Sequence, residues 1–189
     1  MIHISPIAGE VSYEVMERLR RHSGLLSLDP QGFLRRFDED GRVHLEGFED
    51  PRILSEIDIL KASKREIEMV TGESELTQAI KHVHERGVNV VIVTRGERST
   101  ILSLGRKIYR IPTVKPKVIV DTTGAGDVFI GAFLSEFIKG EDPIWCSCVG
   151  SASASYVIEE VGPRGFRSKS EIYERAAQIY ENVSPATSI

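Results

Sequence analysis

Cysteine is nearly absent from this sequence: Cys146 and Cys148 are the only two in 189 residues. They lie two apart in a helix-like segment, where their side chains diverge by about 200°. A disulfide framework is therefore excluded. As a metal pair they lack the further ligands that a tetrahedral zinc site needs, so they read as two small buried thiols. Long apolar runs are also missing. No stretch approaches the ~18 residues needed to cross a bilayer, and the first residues lack the basic-then-apolar layout of a secretory leader, which makes the cytoplasm the default address. Positive charge is in deficit: 24 Lys and Arg stand against 28 Asp and Glu, a net −4. A chain without a broad basic field is not expected to take nucleic acid, nor one without an apolar span to take a membrane. There is no internal repeat and no low-complexity linker. With 41% hydrophobic and 28% charged residues, the composition is that of one ordinary globular domain, taken here as residues 1–189.

What is present alternates between strand and helix patterns. "IHIS" reads as a short strand stopped by Pro6, and the segment after it repeats apolar residues at Val11, Val15 and Leu19 before Gly24. "LLSLDPQG" is a second strand, and "RRFDEDGRVHLEG" a small hairpin about its Asp-Gly turn. "DILKAS" is another strand, followed by a helix opening with a capping-box pattern, Ser63 to Glu66, and closing at Gly72. A further helix spans 74–87. "VNVVIVTRG" is a continuous β-branched run, the mark of a strand buried on both faces of a parallel sheet. "STILSL" and "KIYRIP" pair around Gly105. Helices follow at about 126–138, 142–159 and 170–182, before a polar tail, "VSPATSI". The alternation argues for a three-layer α/β/α fold with a mostly parallel sheet, whose ligands sit beyond the strand carboxyl ends.

The segment with most chemistry is "VDTTGAGDVFIGAFL", residues 120–134. Gly124, Ala125 and Gly126 carry little or no side chain, so a ligand can approach the main chain and several amides can converge on one anion. The first turn of a helix adds its unpaired N–H groups and the positive end of its dipole. Asp127, next to that anion receptor, makes chemical sense as a base for a hydroxyl that attacks phosphorus. The competing interpretation is a glycine-rich turn with Asp127 at a favourable helix start. No Gly-Lys-Ser/Thr follows, so this is not a Walker loop; no glycine comes three residues later, so it is not a dinucleotide fingerprint.

"DTTGAGDVFIGAFL", Asp121 to Leu134, resembles at every position the C-terminal signature of the ribokinase-like (PfkB) carbohydrate kinases. The resemblance implies a ribokinase-like fold in which the amides of Gly124, Ala125 and Gly126 form an anion hole and Asp127 is the catalytic base. It also implies ATP and Mg²⁺. "KASKREIEMVTG" resembles the stretch carrying the family's Asn-x-x-Glu motif, with Ser63 at the asparagine position and Glu66 at the glutamate, which helps organise Mg²⁺ through water; a plain capping box satisfies the same spacing. Thr94 and Gly96 in "VTRGERS" match a strand end that lines the nucleotide phosphates. Asp121 and Thr123 match positions beside a monovalent-cation site, which implies K⁺. Ser151, Ala152 and Ser155 match the small-residue helix flanking adenine, although small residues at helical spacing equally allow close helix packing.

The likeness runs from the first strand to about Phe166 and corresponds to the later part of the family fold. The family's Gly-Gly motif, its β-sheet lid and most sugar-gripping groups have no counterpart, so the fold is expected to be incomplete at the N-terminus, with a sheet edge that invites a homo-oligomer. The implied activity is transfer of the ATP γ-phosphoryl group to a hydroxyl of a sugar or nucleoside. A non-catalytic nucleotide-binding or interaction module is the alternative.

Overall fold

The computed structural model describes residues 1–186 and is an α/β structure with a mixed, mostly parallel sheet. The chain resolves into two compact units: one holds Met1–Val93 and Ser103–Lys107, the other Thr94–Leu102 and Ile108–Ala186.

The first unit is built on short parallel strands. β1 (Ile2–Ile4) pairs with β2 (Leu26–Leu28) in register Ile2↔Leu26 to Ile4↔Leu28, and β2 pairs with β5 (Ile59–Ser63) through Ser27↔Ile59 and Leu28↔Leu60. β6 (Val90–Thr94) continues that order beside β5. Leu26, Leu28, Ile59, Leu60, Val91, Ile92 and Val93 are almost wholly buried, as expected for strands covered on both faces. Between these strands run the helices α1 (Tyr13–His22), α2 (Gln31–Leu34), α3 (Lys64–Thr71) and α4 (Leu76–Glu85). The hairpin of β3 (Arg35–Phe37) and β4 (Val43–Leu45) forms about the Asp-Gly turn anticipated from sequence, with Phe37 opposite Val43.

One interior polar pair fixes β2 against β5. Lys61 Nζ lies 2.5 Å from Asp29 Oδ2, one residue past the Leu28↔Leu60 match, and both side chains are buried. An unpaired charge there would cost several kcal/mol, so each ion is tolerable only because of the other. At Gly32 the backbone passes so close to Pro6 that an added Cβ would fall 2.3 Å from the Pro6 carbonyl carbon. Only glycine lets those segments touch.

The second unit contains β7 (Thr100–Leu104) in part, β8 (Lys107–Ile111) and three helices: α5 (Ala125–Phe137), α6 (Pro143–Val157) and α7 (Lys169–Tyr180). α5 and α6 pack closely because Gly150 carries no side chain; a Cβ there would meet the Phe129 carbonyl oxygen at 2.8 Å. Glu136, buried on α5, accepts from Tyr173 Oη at 2.7 Å and pairs with Lys139, which pins α7 to α5.

The tail departs from the sequence reading. Ser184–Pro185 forms a short strand, β9, antiparallel to β8 with Arg110↔Ser184 and Tyr109↔Pro185. Its last three residues, 187–189, lie outside the described residues. Proline is admissible at a sheet edge, where no ladder hydrogen is required of it. Cys146 and Cys148 are buried and unbridged, and no helix among the described residues is long and apolar enough to cross a membrane.

Candidate active site

The sharpest local feature is the entrance to α5. α3, α4, α6 and α7 each begin with a side chain that accepts from first-turn amides: Ser63, Glu75, Asp142 and Ser168. α5 begins instead at Gly124, which has no side chain to offer. A normal N-cap satisfies the amide two or three residues on. Here those amides belong to Gly126 and Asp127, and neither has a hydrogen-bond partner among the described residues. The Gly124 N–H is likewise open, whereas that of Ala125 donates to the Thr122 carbonyl at 3.2 Å. The open set is thus Gly124, Gly126 and Asp127, with Ala125 spent on closing the turn.

Gly124 is required by conformation and not by space. Its φ is +76°, in the left-handed region, and a Cβ there would meet nothing within 4 Å. Any other residue would be strained by about 1–2 kcal/mol. The preceding loop is held against the end of α6: Lys117 N donates to Glu159 Oε1 at 3.1 Å, and the Ile158 carbonyl accepts from Val120 N at 2.8 Å and Asp121 N at 3.4 Å. Asp121 Oδ1 then accepts from Thr123 N at 2.9 Å, a turn that holds the carboxyl below its usual range, through that backbone bond first. Asp127 itself is exposed, and its carboxylate makes no hydrogen bond or ion pair among the described residues. The α5 entrance therefore presents open donors and an uncommitted acceptor within one helical turn, the pairing required to hold an anion and remove a proton beside it.

The other sequence-derived positions are distributed unevenly. Thr94, Gly96, Asp121, Thr123, Ser151 and Ser155 belong to the same unit as Asp127; Ser63 and Glu66 belong to the first. Gly96 has φ +61° in the turn closed by Arg98 N and Arg95 O at 3.2 Å. Ser63 and Glu66 form a reciprocal capping box: the Ser63 amide donates to Glu66 Oε2 at 2.6 Å and the Glu66 amide to Ser63 Oγ at 3.3 Å. One Glu66 oxygen is thereby engaged and the other is not. Ser151 and Ser155 are each 4% exposed. Ser151 Oγ donates to the Pro112 carbonyl, while Ser155 Oγ donates to the Ala152 carbonyl and accepts from Arg175. Both hydroxyls are used inside the protein, and Ala152 is fully buried.

Two features escaped sequence reasoning. The Asp29–Lys61 pair depends on strand register, which spacing does not disclose. A cavity of about 460 Å³ in the first unit, lined by Tyr13, Glu14, Phe33, Phe48, Glu49 and Asp50 among others, has the size of a small-molecule site. Its carboxylates are already matched, Glu14 by Ser12, Glu49 by Arg36 and Asp50 by Arg52, so it offers shape without an idle charge.

Comparison with known proteins gives a consistent picture. Residues 45–169 match the family profile described as pfkB family carbohydrate kinase. A cytidine kinase from Thermococcus kodakarensis is 29% identical over 167 residues, covering 86% of this chain and 56% of that protein. A nucleoside kinase from Methanocaldococcus jannaschii is 32% identical over 140 residues, 74% of this chain and 43% of that protein. The crystal structure of the latter, an archaeal member of the ribokinase family, superposes with a TM-score of 0.71 at 26% identity over 93% of this chain and 55% of its own. A pyrophosphate-dependent myo-inositol-1 kinase converted to a myo-inositol-3 kinase superposes at 0.78, with 25% identity, over 94% of this chain and 63% of its own. The chain spans about half the length of the curated relatives it matches.

Proposed function

This chain belongs to the pfkB family of carbohydrate kinases, and from that premise we propose that it carries the donor-binding and catalytic part of a phosphotransferase that moves the γ-phosphoryl group of ATP to a hydroxyl of a sugar or nucleoside. The reading rests on one observation: the helix entrance whose amides are open stands beside a carboxylate with no partner. In the proposed step the acceptor oxygen attacks phosphorus in line, Asp127 receives its proton, and the open amides of Gly124, Gly126 and Asp127 face the charge on the moving phosphoryl oxygens.

Thr94 and Gly96 would line the phosphate chain. Ser63 stands at the asparagine position of the family's Asn-x-x-Glu motif and caps α3. Mg²⁺ keeps most of its water and takes few carboxylates, so a single acid at a helix start can hold it through water. The unengaged oxygen of Glu66 is the candidate outer contact, and bound Mg²⁺ would supply charge neutralisation at the phosphate oxygens. The ionised Asp121 carboxylate and neighbouring backbone carbonyls would hold K⁺, with Thr123 fixing the turn; activity against potassium concentration tests that part.

Asp127→Asn tests the core of the reading. General-base assistance contributes about 10²–10⁴ in rate. The variant should therefore lose turnover by about that factor in a coupled ADP-release assay over a sugar and nucleoside panel, while calorimetry shows ATP·Mg²⁺ binding retained. Undiminished turnover in the variant would remove Asp127 from the mechanism. A second reading, a nucleotide-binding module without catalysis, is separated by the same pair of assays. ATP binding with no turnover on any acceptor would select it.

A further inference from the structure

α7 follows the α5 entrance by some distance in the chain, yet one of its arginines is linked to the loop that leads into that entrance. Residues 114–123 cross the second unit without a strand or helix of their own. Among the described residues only one side chain from outside that segment bonds to it: Glu159, just past α6, whose Oε1 takes the Lys117 amide. The neighbouring Ile158 carbonyl takes the amides of Val120 and Asp121. Three amides of the loop thus hang on two consecutive residues.

The Glu159 side chain is only 8% exposed, so its charge needs a partner. Arg175 of α7, its side chain 12% exposed, supplies one: Nη1 stands 3.3 Å from the same Oε1 that accepts from Lys117. Arg175 is itself held from two more sides. Nη1 donates to Ser155 Oγ at 2.8 Å, and the guanidinium lies 3.3 Å from the centre of the Tyr156 ring, the stacked arrangement that arginine favours. Ser155 in turn donates to the Ala152 carbonyl. Support therefore runs from α6 to Arg175, from Arg175 to Glu159, and from Glu159 to the loop. A staple between α6 and α7 alone would not need an oxygen shared with the loop. Without Arg175 the Glu159 carboxylate recovers solvation only by turning outward, which draws Oε1 away from Lys117.

We propose that Arg175 is a positioning residue for phosphoryl transfer: acting through Glu159, it fixes the loop at Lys117–Asp121 and with it the Asp121 turn and the Gly124 entrance. The role rests on the phosphotransferase reading above. The open amides of Gly124, Gly126 and Asp127 act on a moving phosphoryl group only if they converge on it, and a misplacement of 1 Å costs about 100-fold in rate. The loop ends at the first of those amides. Neither Arg175 nor Glu159 is assigned a contact with donor or acceptor; both act by holding backbone. Ser155, a position the family resemblance sets beside adenine, serves here to hold Arg175.

The test uses the full chain and three variants. R175M removes the guanidinium and keeps an apolar stem; E159L removes the shared oxygen and leaves Arg175 with Ser155 and Tyr156; E159Q retains an oxygen that can accept from both donors. Hydrogen–deuterium exchange at the amides of Lys117, Val120 and Asp121 should quicken about 10-fold or more in R175M and E159L, the scale of a lost hydrogen bond to a charged group, and much less in E159Q. In the ADP-release assay, with kcat expressed per ATP site counted by calorimetry, R175M and E159L should lose about 10- to 100-fold in kcat at unchanged KM for ATP, and E159Q should recover most of that loss. Counting sites removes any change in the folded fraction, which a merely structural role would produce. Loop exchange equal to the parent's in R175M and E159L overturns the tie. Faster exchange with kcat unchanged overturns the positioning role and leaves the phosphotransferase reading standing; so does a kcat as low in E159Q as in E159L. A parent that transfers to no acceptor sinks the phosphotransferase reading and the positioning role with it. If R175M does not fold, E159L reads the same tie from the other side.

Discussion

Replacing Lys61 by methionine would leave Asp29 as a buried carboxylate, 2% exposed, whose only other protein donor among the described residues is the Gln31 amide at 3.3 Å. Methionine fills most of the space of the lysine stem, so the perturbation is mainly one of charge. Breaking a buried pair from one side costs about 3–5 kcal/mol, because the remaining ion loses its partner and recovers no water. For a chain of this size each kcal/mol moves the melting midpoint by about 2–4 °C, which places the expected drop at about 6–20 °C. Thermal circular dichroism reads the midpoint, and a urea titration gives the free energy independently. The double variant D29N/K61M removes both charges and should recover most of the loss, since replacing a whole buried pair by neutral groups is often close to neutral. A K61M protein within about 1 kcal/mol of the parent would refute the reasoning. So would a double variant no more stable than the single one.

Gly150→Ala should destabilise the α5–α6 packing by about 1–3 kcal/mol, because the new Cβ meets a backbone carbonyl at 2.8 Å and a phenylalanine ring at 3.2 Å; a urea midpoint equal to the parent's would contradict that contact. Burial pushes the thiols of Cys146 and Cys148 up to about 12, Glu136 adding to the first and Asp142 to the second. An unfolded thiol ionises near 8.5, so their contribution to stability is complete below about that pH and is lost as pH rises toward 12. C146A/C148A should accordingly show a flatter alkaline decline, and identical slopes above pH 9 would contradict the assignment.

Much of the fold was legible because local chemistry is strong where it matters. The β-branched run Val90–Val93 became a buried strand, and Ser63 with Glu66 formed the capping box their spacing implied. Boundaries shifted by a residue or two: the last helix, expected over about 170–182, runs Lys169–Tyr180 and opens through a Ser168–Glu171 capping box. The strand Ser184–Pro185 was invisible, since two residues carry no periodicity and become a strand only by lying beside Tyr109 and Arg110. At the candidate site the glycines and Asp127 could be picked out from sequence, but not which amides stay open, because that depends on Thr122 turning its carbonyl onto Ala125.

Sequence by itself determined the alternation of strands and helices, the family, and the position of the α5 entrance, for these depend on residue type and spacing over a few turns of chain. Tertiary structure alone decided that Ser151 and Ser155 face inward and that Lys61 meets Asp29. Each of those facts relates residues brought together by pairing and packing, and the cost or gain of a charge is fixed by the neighbours it acquires there.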